Sequence, residues 1–305
     1  MQPILNIPII SDANLLLGLT FDIDTSLYNT YTNIYNETVR SSQIFLGNRK
    51  TDLNDILNSR NLVGTYKDKN NFIHGSLGYN LAGTSIGESD PNFEKKLNYS
   101  KAVLIKELDI ASSIFAKVIV HPGYRIDKHK GLLTVAETLN YTLSNVGSIG
   151  RMFNSEGENA REIILENCAG EKNHLGCDFQ ELKFIIDSAS ETVRDQIGIC
   201  IDTCHTYGAG LYDFGNTKHV QQFFQDFINI FGQNKLKVFH LNDSKEIWNS
   251  KKDRHANICE GYMFKKDGGE SGLRQLISIC TDMKIPLVLE TPDGPSDYSK
   301  LIQSI

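Results

Sequence analysis

Six acidic or histidine side chains directly follow short apolar runs of the sequence, where a strand could present them to a common site. They are His74, His121, Glu166, Asp202, His240 and Glu290. Asp202 shows the pattern clearly, because the apolar run Ile197–Ile201 ends on this acid and His205 follows three residues later. Asp253 and His255 follow in the loop after the seventh run. Imidazole and carboxylate together are a ligand set that suits zinc, manganese or iron.

The nine candidates comprise five imidazoles and four carboxylates. Four clustered carboxylates would raise one another's pKa values, and bound divalent cations would remove that cost. Because catalytic zinc takes about three protein ligands, nine ligands predict two or three metal ions. Taken singly, His74, His121 or His240 could be a buried core histidine, and Glu166 or Glu290 could be half of an ion pair. Six such residues in register favour a metal site.

Short apolar runs alternate with segments of helical length and period, and both sets recur along the whole chain. The runs are 15–21, 43–46, 72–73, 117–120, 162–165, 198–201, 237–239 and 286–289, and the helical segments are 101–116, 132–146, 179–188, 220–231 and 273–279. Eight runs alternating with helices predict an α/β fold, a (β/α)8 TIM barrel with eight parallel strands and outer helices. A doubly wound open sheet is the alternative, but no Gly-rich phosphate fingerprint follows the first run. In a barrel, the carboxyl ends of the strands converge on one mouth.

Composition restricts the possible classes of protein. The 305 residues are 40% hydrophobic and contain no apolar run of membrane-spanning length. We predict an N-terminal extension over 1–14, without signal-peptide features, and a single barrel domain over 15–305. The six cysteines lack a CxxC pair, which indicates reduced thiols and a cytoplasmic protein. A net charge of −6 does not by itself suggest a partner that is a polyanion.

Longer stretches around these residues resemble the signature motifs of the endonuclease IV family. They are Glu166-Asn167-Cys168-Ala169-Gly170, Cys200-Ile201-Asp202-Thr203-Cys204-His205, His240-Leu241-Asn242-Asp243-Ser244-Lys245, Asp253-Arg254-His255 and Leu289-Glu290-Thr291-Pro292, with His74-Gly75-Ser76 and His121-Pro122-Gly123 before them. The resemblance implies a zinc-dependent AP endonuclease of base excision repair. Such an enzyme hydrolyses the phosphodiester bond 5′ to abasic sites in duplex DNA and leaves a 3′ hydroxyl and a 5′ deoxyribose phosphate.

The resemblance also implies three zinc ions and assigns their ligands. One zinc would be held by His74, His121 and Glu166, a second by Glu166, Asp202, His240 and Glu290, and a third by His205, Asp253 and His255. Two neighbouring metals can lower the pKa of a water between them to near neutrality, which supplies a hydroxide nucleophile. Glu290 would orient or deprotonate this water, and Glu166 would bridge the two metals. The third metal would neutralise the leaving 3′ oxygen.

The predicted partner is duplex DNA that contains abasic sites, bound by a monomer. Basic residues in strand-end loops would track its phosphates, and they are Arg49, Lys50, Arg125, Lys128, Lys130, Lys172, Lys245, Lys251, Lys252 and Arg254. The family places an aromatic and an apolar side chain after its first histidine motif, where this chain has Leu77 and Gly78. Leu77, or Tyr79 one residue further, is therefore the predicted wedge that fills the gap in the base stack.

Two other classes of protein fit part of this pattern. A sugar isomerase of the xylose-isomerase type shares the barrel and the mixed metal ligands, but its sites use fewer histidines and prefer magnesium or manganese. A non-catalytic DNA-binding protein is the other, and such a protein would be expected to lack some of the ligands. The expected location is the cytoplasm. If the source is viral or eukaryotic, the virion or the nucleus is the alternative.

Overall fold

The computed structural model describes residues 15–22, 41–45, 70–113, 116–146, 161–265 and 268–303, with only the backbone of residues 21–22. Within them, eight parallel strands close into a barrel in the order β1, β2, β3, β4, β5, β6, β7 and β10. These strands are β1 (Leu17–Asp22), β2 (Ser41–Phe45), β3 (Asn70–His74), β4 (Ala116–Val120), β5 (Ile163–Glu166), β6 (Ile197–Asp202), β7 (Leu236–His240) and β10 (Leu287–Leu289). The predicted TIM barrel is confirmed, and the open sheet is excluded because β10 pairs with β1. The predicted extension over residues 1–14 lies outside the described part.

Helices cover the outside of the barrel. They are α1 (Phe93–Ser113), α2 (Lys128–Asn145), α3 (Phe179–Ser188), α4 (Glu191–Arg194), α5 (Thr203–Gly208), α6 (Thr217–Phe231), α7 (Gly269–Asp282) and α8 (Gly294–Gln303). The predicted helix over 101–116 was wrong at both ends, because α1 begins eight residues earlier and Ala116 opens β4. Phe93 and Leu97, four residues apart, are both buried. They extend the buried apolar face of the helix into a stretch of sequence that is mostly polar. None of the helices described here is long and apolar enough to cross a membrane.

Six buried side chains fill the lower interior of the barrel, and we call them the inner apolar layer. They are Phe72, Ile119, Ile164, Cys200, Val238 and Val288. Strand side chains alternate between two faces, so the residue two positions further on points the same way. In all six cases that residue is one of the strand-end candidates: His74, His121, Glu166, Asp202, His240 and Glu290. The barrel therefore places these candidates in one layer directly above an apolar one.

The other end of the barrel is held by a charge cluster. Glu162, the residue before β5, lies 2.9 Å from Lys117 Nζ and 2.8 Å from Lys237 Nζ. Because the carboxylate is mostly buried, its removal would leave the two lysines without their shared partner. This cluster ties β4, β5 and β7 together at the end opposite the candidate ligands.

A hairpin outside the barrel carries the last loop candidates. Its strands are β8 (Asp243–Ser244) and β9 (His255–Ala256), which pair antiparallel. The buried carboxylate of Asp243 accepts hydrogen bonds from the backbone N–H groups of Ser244 at 2.7 Å and of Gly261 and Met263 at 3.0 Å. A carboxylate that satisfies several buried donors fixes a loop which would otherwise leave them unpaired. Asp243 thus holds the segment that presents His255.

Candidate metal centre

Every strand-end candidate lies at the same mouth of the barrel. His74, Glu166, Asp202 and His240 are the last residues of β3, β5, β6 and β7, while His121 and Glu290 directly follow β4 and β10. Asp202 is also the N-cap of α5, where its Oδ1 accepts a hydrogen bond from the backbone N–H of His205 at 2.8 Å. This cap turns the chain after β6, so that the side chain of His205 comes back over the mouth.

Glu166 is the centre of the cluster and is only 1% exposed. One carboxylate oxygen, Oε2, lies 3.2 Å from His74 Nε2 and 3.5 Å from His121 Nε2. The other, Oε1, lies 2.9 Å from His240 Nδ1 and 3.4 Å from His205 Nδ1. Each oxygen therefore faces a different pair of imidazoles, which is the geometry that a carboxylate between two cations requires.

Potential ligand atoms converge in more than one group. Those of His74, His121 and Glu166 lie within 4.8 Å of one another. The same holds for a group in which Glu166 is joined by Asp202, His240 and Glu290. Glu290 Oε2 lies 3.1 Å from His240 Nδ1, so this carboxylate and imidazole face the same point. The shared member of the two groups is Glu166.

The loop candidates form a neighbouring group. His205 Nε2 and His255 Nε2 each lie 3.2 Å from an oxygen of Asp253, and His255 Nε2 lies 3.4 Å from Asp202 Oδ2. Both Nε2 atoms are buried, and within the described residues neither makes a well-aligned hydrogen bond, even to the nearby Asp253. A buried nitrogen without a partner is costly, and a cation that accepts its lone pair removes the cost. The donor set and these two nitrogens fit a divalent metal such as zinc.

Charge in the cluster is balanced by protons in the absence of cations. Burial lowers the pKa of His121 to about 4, which leaves a neutral imidazole. Burial also acts against the charged form of His255, but Asp202 and Asp253 raise its pKa to about 9. For Glu290, burial opposes ionisation, yet the imidazole of His240 holds the pKa down to about 2. Metal binding at such a site displaces protons from the imidazoles.

Gln43 belongs to the site, although its sequence context predicts only the start of a strand. Its Nε2 donates hydrogen bonds to Glu290 Oε1 at 2.6 Å and to Thr20 Oγ1 at 3.0 Å, and its Oε1 lies 2.9 Å from His240 Nε2. With the amide oriented in this way, His240 carries an N–H on Nε2, so Nδ1, which faces Glu166, is the nitrogen that would bind a metal after losing its proton. The sequence signal that could have identified Gln43 is a polar residue at the start of the apolar run 43–46.

Replacing Gln43 by alanine is expected to weaken metal retention by about 10–100-fold, the usual effect of removing a residue that orients a ligand. The measurement is competition of the purified protein with a chromophoric zinc chelator. Gln222→Ala is the matched control, since Gln222 is exposed on α6 and donates a hydrogen bond to Asp226 in the same helix. Equal zinc retention in both variants would contradict the role given to Gln43.

Two buried asparagines also orient candidate ligands. Asn167 directly follows Glu166, and Asn242 lies two residues after His240. Asn167 Oδ1 accepts a hydrogen bond from the backbone N–H of Asp202 at 2.7 Å, and its carbonyl oxygen lies 2.9 Å from His205 Nδ1. Asn242 Nδ2 donates to Asp202 Oδ2 at 2.7 Å, and Asn242 Oδ1 accepts from the backbone N–H of Glu290 at 2.9 Å. Asp202 is thereby fixed from both sides.

The two predicted wedge residues have different surroundings. Leu77 is 55% exposed and lines a cavity of about 440 Å³ over the mouth. Tyr79 instead donates its hydroxyl to Glu107 Oε2 at 2.6 Å, and Glu107 Oε1 accepts the backbone N–H of Ser76 at 2.9 Å. Tyr79 is therefore anchored towards α1, and it supports the loop from which Leu77 projects.

Five of the ten predicted basic contacts show three different outcomes. Lys245 and Arg254 are exposed and lie side by side, because the backbone N–H of Lys245 donates to the carbonyl of Arg254 at 2.9 Å across the hairpin. Arg49 and Lys50 lie outside the described residues. Arg125 was wrongly included among the basic residues around the mouth: it is 2% exposed and its guanidinium pairs with Glu88. Its charge is paired with Glu88 within the protein and does not face DNA.

Cys204 sits between two candidate ligands in sequence and is fully buried. Its Sγ lies 3.6 Å from the carbonyl oxygen of Arg254, and burial raises the pKa of the thiol. Since metals bind the thiolate, this environment favours the predicted role in packing. All six cysteines of the chain are free, as the absence of a disulfide framework predicts.

Comparisons with known proteins agree with this geometry. The Xylose isomerase-like TIM barrel family matches residues 62–303. The "Probable endonuclease 4" of Thermosipho africanus is 36% identical over 227 residues, which is 73% of each chain. That of Halothermothrix orenii is 31% identical over 284 residues, 90% of this chain and 93% of the other. The crystal structure of endonuclease IV from Thermus thermophilus shares the fold with a TM-score of 0.70 and 24% identity, over 93% of this chain and 96% of that chain. The chain therefore belongs to the endonuclease IV family, within the xylose isomerase-like TIM barrels.

Proposed function

We propose that this protein is a zinc-dependent AP endonuclease that hydrolyses the phosphodiester bond 5′ to an abasic site in duplex DNA. The products would be a 3′ hydroxyl and a 5′ deoxyribose phosphate. The observation that carries the proposal is the convergence of ligand atoms in neighbouring groups around Glu166 at one mouth of the barrel. The names of the curated relatives, "Probable endonuclease 4", support it.

Three zinc ions would be held by the nine side chains. The first would take His74, His121 and Glu166, the second Glu166, Asp202, His240 and Glu290, and the third His205, Asp253 and His255. When bound, zinc lowers the pKa of water towards neutrality and neutralises charge on a phosphate group. Glu166 would serve both of the first two positions, as its two oxygens face different imidazoles.

Glu290 would handle the proton of the attacking water. It is the most exposed member of its ligand group at the open cavity, with a side chain 16% exposed, while Gln43 and Asn242 hold it from below. A carboxylate with a pKa of about 2 is ionised at neutral pH, so it accepts a hydrogen bond from water and orients the attack. His205 and Asp253 line the same cavity on the side of the hairpin, where the leaving 3′ oxygen would be placed.

DNA would be positioned by exposed groups around this cavity. Lys245 and Arg254 lie together on the hairpin, where they would contact phosphates and make the affinity sensitive to salt. Arg49 and Lys50 are proposed for the same role from the sequence alone. Leu77 would fill the gap left in the stack when the duplex bends at the lesion, and Tyr79 would hold the loop that carries it.

Leu77→Ala is expected to lower kcat/KM on abasic duplex DNA by about 10–100-fold, since full burial of a leucine side chain contributes about 1.5–3 kcal/mol. The loss should be much smaller on a single-stranded abasic oligonucleotide, which has no duplex stack to fill. Leu133→Ala removes a leucine that is also exposed, on α2, and serves as the control. An equal loss of kcat/KM on both substrates for Leu77→Ala would contradict the proposal that Leu77 is the wedge.

The test of the proposed function is cleavage of a duplex oligonucleotide that carries one tetrahydrofuran abasic analogue. This analogue cannot undergo β-elimination, so a product with a 3′ hydroxyl indicates hydrolysis. We expect the zinc-loaded wild type to nick the strand 5′ of the analogue, and Glu290→Gln and His205→Ala to lose this activity. An undamaged duplex of the same sequence should stay intact.

Two failures would point to the other classes of protein. Binding of the abasic duplex without cleavage by the zinc-loaded protein would replace the enzyme by a non-catalytic DNA-binding protein. Neither binding nor cleavage, together with two magnesium or manganese ions instead of zinc in elemental analysis, would favour a sugar isomerase. Three zinc ions with cleavage would support the proposed function.

A further inference from the structure

Two cysteines face each other in the loop that follows β5. Cys168 Sγ and Cys177 Sγ lie 2.6 Å apart, close to the length of a disulfide bond, which is about 2.05 Å. Both cysteines are free thiols, and neither belongs to the metal centre proposed above. The segment between them forms part of the wall of a second cavity, of about 280 Å³, which Cys168, His174 and Leu175 line.

The loop is already closed around this pair. Cys168 donates its backbone N–H to the carbonyl of Gly176 at 3.4 Å, and the N–H groups of Gly176 and Cys177 donate to Glu181 Oε2 at 2.8 Å and 3.2 Å. The Cys168 thiol is directed at the carbonyl of Leu175. Backbone hydrogen bonds hold the two ends of the loop together, so the sulfurs already lie side by side. A disulfide could therefore form without a large movement of the backbone.

One of the two thiols is reachable from solvent. Cys168 is 5% exposed, whereas Cys177 is only partly buried and directly precedes Asp178, the N-cap of α3. A small oxidant can therefore reach Cys177 first, with Cys168 beside it as the second thiol. A partly exposed cysteine next to a resolving cysteine is the arrangement found in reversible redox sites.

We propose that Cys168 and Cys177 form an oxidisable dithiol, a modification site that peroxides convert reversibly to an intramolecular disulfide. The sulfur of Cys177 attacks one oxygen of hydrogen peroxide, the O–O bond breaks, and a sulfenic acid and one water form. The thiol of Cys168 then attacks that sulfur, the S–O bond breaks, and the S–S bond forms with release of a second water. Two thiols are oxidised, one peroxide is reduced, and the thiol protons leave in water. The site does not depend on the proposed nuclease activity.

The chain allows a direct test, because Lys172 lies between the two cysteines. The full-length, zinc-loaded protein is treated with hydrogen peroxide, its free thiols are alkylated in denaturant, and it is digested with trypsin. Cleavage after Arg161, Lys172 and Lys183 separates the peptides 162–172 and 173–183, so that only a disulfide keeps them joined. We expect this joined pair, absent after treatment with dithiothreitol, and a fall in the thiol count from six to four.

Variants and a control cysteine sharpen the result. Cys259→Ser removes another partly buried cysteine, and it should still yield the joined peptides. Cys177→Ser and Cys168→Ser should each abolish them. Retention of all six thiols in the wild type, joining of other cysteines, or oxidation of Cys177 that stops at the sulfinic acid would each overturn the proposal. The peptide map of the wild type alone decides the matter even where a variant fails to fold.

Discussion

Glu166→Gln is expected to lower kcat/KM for abasic duplex DNA by at least about 10³-fold, because a catalytic metal contributes several kcal/mol and each 1.36 kcal/mol is tenfold in rate. Both oxygens of this carboxylate are used, each towards a different pair of imidazoles. The amide of glutamine carries no charge, and its nitrogen has no lone pair available to bind a metal. The measurement is single-turnover cleavage of the tetrahydrofuran duplex, with zinc content determined on the same preparation.

The matched control lies at the opposite end of the same strand. Glu162→Gln also removes one carboxylate charge, but Glu162 pairs with Lys117 and Lys237 away from the mouth. This variant is expected to lose stability and to keep the same metal content and cleavage rate as the wild type. Equal loss of activity in both variants would mean that Glu166 acts on the fold and not as a ligand, and the assignment of the bridging role would be withdrawn.

Removal of metal is expected to have the second large effect, on stability as well as on activity. A metal that binds only the folded state stabilises it by about 2.7 kcal/mol when its free concentration is about 100 times the Kd. In a chain of 305 residues, for which the entropy of unfolding is about 0.6 kcal/mol/K, each site would then raise the melting temperature by about 4 °C. Dipicolinate treatment followed by gel filtration should therefore abolish cleavage and lower the melting temperature.

Zinc addition should restore both properties, and magnesium should restore neither, since imidazole ligands suit zinc better than hard cations. Differential scanning fluorimetry and elemental analysis of the same samples give the stability and the zinc content. Unchanged melting temperature and full activity after verified removal of zinc would exclude a metal centre built from His74, His121 and Glu166. Recovery with magnesium alone would direct attention to sugar substrates.

The barrel and the strand-end candidates could be predicted because they depend on local patterns. An apolar strand that ends on His, Asp or Glu is visible in a few residues, and its repetition at His74, His121 and Glu166 reveals a common mouth. The alternation of strand side chains then explains why these residues lie in one layer. No longer-range information was required.

The remaining features depend on contacts between distant parts of the chain. Gln43 contacts Glu290 only because β10 closes the barrel next to β1, across 247 positions of sequence. Arg125 is charged, and charge alone predicts a solvent-exposed residue, so its burial beside Glu88 could not be foreseen. The proximity of Cys168 and Cys177 depends on the turn of one loop and was equally hidden.

The inner apolar layer has a consequence for the supply of water to the reaction. Six packed side chains, among them Phe72, Ile164 and Val288, close the barrel directly beneath the candidate ligands. Within the described residues this layer closes the lower end of the barrel, so water would reach the ligands from the mouth, which is also the side that a large substrate would cover. The water consumed in a hydrolysis must already be in place when the substrate docks, and the next one enters only after the product departs. Hydration of the site and release of product would therefore be coupled steps.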